Sequence, residues 1–185
     1  MSEQEIIQAL LNGESSKFEL LVVKYQNLVF RTALGFVHSK EDAEDLTQDV
    51  FISAYQSIAK FQGNSEFSTW LYRIAVNTSI NYLNRNKHRA LLQFTTDLIQ
   101  TIFNKASGDK NPLQELENVE QDRAIQRAID SLPEKQRTAF VLSKYDELTQ
   151  KEIAAILQCT EGSIEQLLQR AKINLQKKLI SVVGK

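Results

Sequence analysis

With one cysteine, two prolines, six glycines, one tryptophan and two histidines in 185 residues, this chain leaves several constructions out of reach. The single cysteine, Cys159, excludes an internal disulfide framework and any multi-cysteine zinc site. It sits in a short break beside apolar residues, which reads as a small packed side chain. His38 and His88 have no cysteine or histidine close in sequence to complete a metal site. A Gly-rich phosphate cradle, a nucleophile elbow and an HExxH helix are all missing. The expectation is therefore a protein that is not an enzyme, with no cofactor and no small-molecule substrate. Few glycines and prolines disfavour hairpins and meanders, so an all-α fold is expected. No apolar run reaches the ~18 residues of a membrane span, and the polar start Met1-Ser2-Glu3-Gln4-Glu5 is unlike a secretion signal. A cytoplasmic protein is expected.

Hydrophobic residues make up 42% and charged residues 24%, ordinary values for a folded domain. The net charge of −1 argues against a chain that coats nucleic acid unaided. Its distribution says more. Residues 1–66 hold five Lys and Arg against ten Asp and Glu, whereas 67–95 hold four Lys and Arg and no acid. From Arg170 onward there are five Lys and Arg and again no acid. Two basic segments and one acidic block fit a protein that touches DNA at two places and a protein partner at a third.

The apolar pattern is helical almost throughout. Ser2 with Glu5, and Ser16 with Glu19, present Ser-x-x-Glu capping boxes and predict helices over roughly 3–12 and 16–37. Ser39 caps a third helix whose buried stripe is Ala43, Leu46, Val50, Phe51, Ala54 and Ile58. Gln62-Gly63-Asn64-Ser65 must be a loop. A fourth helix over roughly 67–88 carries Trp70, Leu71, Ile74, Ala75, Thr78 and Tyr82 and ends in a basic run. Periodicity then fades, with Asn104, Ser107, Gly108, Asp109, Asn111 and Pro112 marking a polar stretch. It returns from Leu116 through Val119, Ala124, Ile125, Ala128, Ile129 and Leu132. Pro133 suits the first position of the next helix. The organisation expected is two small helical domains, 1–95 and 121–185, on a flexible linker, 96–120.

The most informative segment is Thr149 to Leu179. Thr149 with Glu152 makes a third capping box, and Ile153, Ile156 and Leu157 share one helix face. Thr160 is a natural cap for a longer helix with apolar positions Ile164, Leu168, Ala171 and Leu175. Between them lie Glu161, Ser163, Gln166, Gln169, Arg170 and Lys172, which can meet base edges and phosphates. This is the layout of a DNA-binding helix-turn-helix, whose second helix enters the major groove. An ordinary αα-hairpin with a solvated outer face has the same pattern.

Three strings sharpen the reading: DAEDLTQDVFISAY, then KFQGNSEFSTWLYRIAVNTSINYLNRNKHR, then LPEKQRTAFVLSKYDELTQKEIAAIL. In this order they closely resemble the extracytoplasmic-function (ECF) sigma factors of bacterial RNA polymerase, of the sigma-70 superfamily. The resemblance spans almost the whole chain outside the linker. It implies a sigma2-like and a sigma4-like domain. Its implied partners are core RNA polymerase, through the β′ clamp and β flap, promoter DNA, and for many members an anti-sigma factor.

Carried onto this chain, the clamp contacts are Asp45, Gln48 and Asp49; a solvated acidic face that complements the helix dipole would look the same. The part that opens the promoter −10 element corresponds to Gln62–Arg89. Here Asn64 and Ser65 offer small polar groups, and Asn77 and Asn81 lie four apart on one helix face. Arg73, Arg85, Lys87 and Arg89 can neutralise phosphates. Phe61, Phe67, Trp70 and Tyr72 supply rings that can replace lost base stacking. For Phe67 and Trp70 a place in the core is the stronger reading. The −35 element would meet Gln150, Lys151, Glu161, Gly162, Ser163, Glu165, Gln166, Gln169, Arg170 and Lys172. The chain departs from the commonest pattern at Glu165 and Leu167, where the family usually carries cations. Glu165 can accept from cytosine and Gln166 can pair with adenine, so hydrogen bonds or DNA shape would carry specificity. Two other functions fit a helix-turn-helix: a self-sufficient dimeric repressor or activator, and a pure interaction module. Dependence on polymerase separates them.

Overall fold

The chain begins with a helix because Ser2 and Glu5 cap one another. Ser2 Oγ accepts from the Glu5 amide at 3.3 Å, and the Glu5 carboxylate accepts from the Ser2 amide at 2.7 Å. Two of the four unpaired donors of the first turn are thereby satisfied. The computed structural model describes residues 1–103 and 124–183, with side chains for 1–86 and 124–180. Its elements are α1 (Glu3–Leu11), α2 (Phe18–Val37), α3 (Lys40–Ser57), α4 (Phe67–Phe103), α5 (124–130), α6 (Glu134–Lys144), α7 (Gln150–Leu157) and α8 (Glu161–Val183). Among the described residues there is no strand, and the fold is all-α.

Two expected starts differ in detail. The Ser16–Glu19 box does not form: residues Ser15–Lys17 make a 3-10 turn, and Lys17 takes the cap position of α2 with no side-chain bond. Ser16 lies inside that turn, not ahead of the helix, so it cannot serve the first amides. Pro133 is the cap of α6, one position before its expected place. Ser39 behaves as expected, accepting from the Asp42 amide at 3.3 Å. The helix expected to end near 88 continues as helical backbone to Phe103. Most of the expected linker, 104–120, lies outside the described residues.

The first core is built by α1, α2, α3 and the start of α4 around Leu21, Val29, Val50, Ala54, Leu71 and Ala75, each fully buried. Every residue of the expected α3 stripe is buried. Aromatic rings dominate its lower end. Phe61, Phe67 and Trp70 sit with centroids 5.4–5.6 Å apart, and Tyr25 meets Phe67 at 5.4 Å. Leu20 and Val23 of α2 stay exposed. The stretch Ser15–Val37 is long and apolar enough to cross a membrane by length and composition. Here Leu21, Tyr25, Val29, Ala33 and Phe36 place that apolarity in protein core, which accounts for it.

The second core contains residues from both halves. Phe36, Tyr72 and Val76 join Ala139, Val141, Leu142, Ile153, Ala154, Ile156 and Ile164 in one buried cluster. The N-terminal helices α2 and α4 thus pack directly on α6 and α7. Gly35 permits the approach: a Cβ there would lie 2.8 Å from Val141 Cγ1 and 3.1 Å from Tyr145 Cγ. In the C-terminal half, Ile125 is exposed where periodicity placed it inside, whereas Ala128, Ile129 and Leu132 are buried.

Candidate nucleic-acid interface

Three surfaces carry the residues singled out by the sequence. The first is the outer face of α3. Asp45, Gln48 and Asp49 recur at helical spacing and all three are exposed. Their neighbours are partly engaged: Asp42 accepts from the Tyr82 hydroxyl at 2.6 Å, and Lys40 pairs with Glu44 at 3.7 Å.

The second is the loop 62–66 with the helix it feeds. Gly63 takes a left-handed conformation, φ 71°, that turns the chain into α4. Asn64 is exposed and Ser65 half-buried, with Asn64 Nδ2 donating to Gln62 Oε1 at 3.1 Å. Asn77, Asn81 and Arg85 are exposed along α4. Phe67 and Trp70 take the place in the core that was the stronger reading for them, and Tyr72 joins them out of reach of a base. Phe67 is only 2% exposed, held by Tyr25, Phe61 and Trp70, and its ring is not presented to a ligand. Tyr72 is likewise buried, and Trp70 is half-buried against the same core. Aromatic area is more valuable inside a small core than at its rim. Lys87 and Arg89 lie beyond the described side chains.

Arg73 is engaged within the protein. It is half-buried, and its guanidinium donates to the backbone oxygens of Ile156 at 3.1 Å and Ala155 at 2.7 Å. Those carbonyls end α7, where the helix leaves acceptors unpaired and its dipole favours a cation. In this conformation Arg73 serves the other domain instead of a phosphate.

The third surface is the helix-turn-helix. Thr149 and Glu152 form their capping box: Glu152 Oε2 accepts from the Thr149 amide at 2.8 Å and from its hydroxyl at 2.6 Å. Those bonds hold the Glu152 carboxyl below its usual range. The turn uses no glycine; Gln158 adopts φ 53° at the end of α7. Thr160 Oγ1 then accepts from the Ser163 amide at 3.2 Å and starts α8. Ile164 and Ala171 anchor α8 in the core with no exposure. This leaves Glu161, Gly162, Ser163, Glu165, Gln166, Gln169, Arg170 and Lys172 outward, with Gln150 and Lys151 exposed at the head of α7. Leu167 is half-buried and belongs to the core. Cys159 is exposed, not packed, because the turn carries it away from the apolar face.

The halves meet through polar contacts that periodicity could not reveal. Asp146, buried, accepts from the Thr32 hydroxyl at 2.8 Å and from Arg31 Nε at 3.4 Å. Burial pushes its carboxyl up from the ordinary value, opposed by the Thr32 bond and by Arg31. Tyr72, beside them, is pushed up to about 12, chiefly by burial and then by the charge of Asp146. His38 Nε2 lies 3.3 Å from Asp130 Oδ1, which also receives Arg137 Nη1 at 3.3 Å. Asn77 of α4 and Ser163, Gln166 and Arg170 of α8 line one groove of about 400 Å³. The one sequence signal for this closure was a glycine in the last turn of α2, Gly35.

Residues 21–89 match the family model for Sigma-70 region 2, and residues 122–175 that for Sigma-70, region 4. The chain is 33% identical to the RNA polymerase sigma-H factor of Pseudomonas aeruginosa, covering 96% of this chain and 93% of that one. It is 35% identical to the ECF RNA polymerase sigma-E factor of Escherichia coli (strain K12), covering 97% and 95%. In fold it is similar to CnrH in complex with the cytosolic domain of CnrY, with a TM-score of 0.65 at 21% identity over 97% of each chain. RpoE of Bartonella quintana in complex with the anti-sigma factor NepR gives 0.52 at 23% identity, over 88% of this chain and 96% of that one. An acidic helix face, a polar loop leading into an asparagine-bearing helix, and a helix-turn-helix therefore sit in a chain that belongs to the ECF sigma factors, the subunits that give RNA polymerase promoter-specific initiation of transcription.

Proposed function

We propose that this chain docks on the β′ clamp of core polymerase through Asp45, Gln48 and Asp49, opens the −10 element with the loop 62–66 and α4, and reads the −35 element with α8. The observation that carries the reading is the exposure of Asn77 and Asn81 on one face of α4, directly after an exposed polar loop. Strand opening needs such groups to hold unpaired bases, together with cations for the backbone. The exposed acids of α3 lie on the same N-terminal body, so docking on a basic surface would fix the melting helix against the DNA. The exposed face of α8 carries hydrogen-bonding side chains more than cations, which favours base contacts over general phosphate attraction. A docking site for the β flap on the C-terminal domain, and an anti-sigma partner like the NepR bound to RpoE, complete the proposal.

Abortive transcription with bacterial core polymerase, on a pool of genomic fragments, tests it. Promoter-specific initiation that requires this chain is the expected result. Core that initiates with another sigma factor but never with this one would overturn the reading. Asp45→Ala with Gln48→Ala should weaken core binding and leave the helical content unchanged.

A further inference from the structure

We propose that Glu165 is a specificity residue of the −35 reader, an acceptor that selects cytosine at one base pair and disfavours duplex that lacks it there. The inference rests on the proposed placement of α8 in the major groove and deepens it. Ile164 and Ala171, both without exposure, fix the rotation of α8, and two polar rows are left outside. Ser163, Gln166 and Arg170 line the groove that also holds Asn77. Glu165, Gln169 and Lys172 line a separate groove of about 540 Å³, together with Gln150 of α7 and Lys144 of α6. The acid thus stands in a row of hydrogen-bonding and cationic side chains, all of them turned to solvent or bordering it.

Nothing within the protein calls for a carboxylate at this position. Glu161 already answers the helix dipole in the first turn, and Glu165 comes one turn later, where that effect has faded. Its neighbour four residues back is Glu161, and four residues on is Gln169, so the helix gives it a like charge and no cation. Like charges at that spacing weaken a helix. Among the described residues no hydrogen bond or ion pair holds the Glu165 carboxylate. Gly162, three residues back, is a second local cost, since glycine weakens a helix interior. A Cβ there would meet no atom within 4 Å, so the fold does not need the glycine either. Both residues make sense against an outside surface that comes close to the start of α8.

Phosphates would repel Glu165, so that surface must offer it a donor. In the major groove guanine presents the acceptors O6 and N7, and thymine presents O4. Adenine sets its N6 donor beside the acceptor N7, a pattern that suits an amide. Cytosine N4 is the donor that a carboxylate fits.

Glu165→Gln and Glu165→Ala test this, because the side chain is exposed and neither change disturbs the core. Wild type and both variants, each with bacterial core polymerase, would transcribe a library of duplexes randomised at the −35 and −10 elements, and the transcribed members would be sequenced. For wild type, cytosine should be favoured about tenfold over guanine or thymine at one −35 position. Glu165→Gln should move the preference at that position to adenine, and Glu165→Ala should erase it, with every other position unchanged. A wild-type profile kept by both variants would overturn the inference, as would a loss of preference spread over the whole −35 element. If wild type initiates on no member while the same core initiates with another sigma factor, the reading of the chain as a promoter reader falls, and this inference with it.

Discussion

The two cores of this molecule are made differently. The first is self-contained: α1 to α4 close on their own aromatic residues, and all its buried members come from residues 6–75. The second mixes halves, with Phe36, Tyr72 and Val76 completing what α6, α7 and α8 begin. A domain of about 60 residues sits near the lower limit for an independent core, so borrowed apolar area is a natural remedy. The same borrowing ties the helix-turn-helix half to the N-terminal half.

The sharpest way to break the comparison is Phe67→Ala. It removes the ring at the centre of the self-contained core and should cost about 3–5 kcal/mol. Denaturant unfolding should show the loss in the N-terminal half, with tryptophan fluorescence of Trp70 as its probe. Phe36→Ala should cost somewhat less, about 2–4 kcal/mol, because its cavity opens at a boundary that can relax. Its effect should nevertheless appear across the chain. Hydrogen exchange should quicken in α6 and α7, although the substitution lies in α2; protection unchanged there would show that the second core is not shared.

Tyr72 sharpens the picture through pH. Its hydroxyl is raised to about 12, so the folded form holds its proton more tightly than an unfolded chain would. The associated stability is complete below the ordinary tyrosine value near 10 and is lost as pH climbs from about 10 to 12. A melting profile across that range should fall for wild type and fall less steeply for Tyr72→Phe, since Tyr25, Tyr82 and Tyr145 are raised as well. The smallest effect expected is that of Thr149→Ala, which removes the cap of α7 and should cost about 1 kcal/mol. That loss should be confined to the C-terminal half, in contrast to Phe36→Ala.

The elements themselves were legible because each answers to a local cause. Capping pairs at Ser2, Ser39 and Thr149 mark real helix starts, and the α3 stripe is buried throughout. Ser16 misled because a 3-10 turn absorbed it. The outward face of α8 was legible too, since Ile164 and Ala171 fix which side is buried. What could not be read was the encounter of the halves. Nothing in the local pattern of Arg73 distinguishes a phosphate ligand from a cap on a distant helix, and nothing near Asp146 names Thr32. Such pairs join residues 83 and 114 apart in sequence, beyond the reach of periodicity. Cys159 was misjudged for the opposite reason: its apolar neighbours are close in sequence, yet the turn faces it outward.

The shared core also bears on colloidal behaviour. Any state in which the halves part bares Phe36, Tyr72 and Val76 on one side and their apolar counterparts on the other, all now almost wholly enclosed. Contiguous apolar area of that kind attracts other surfaces, including further copies of the same chain. An open molecule in solution would be a self-associating one.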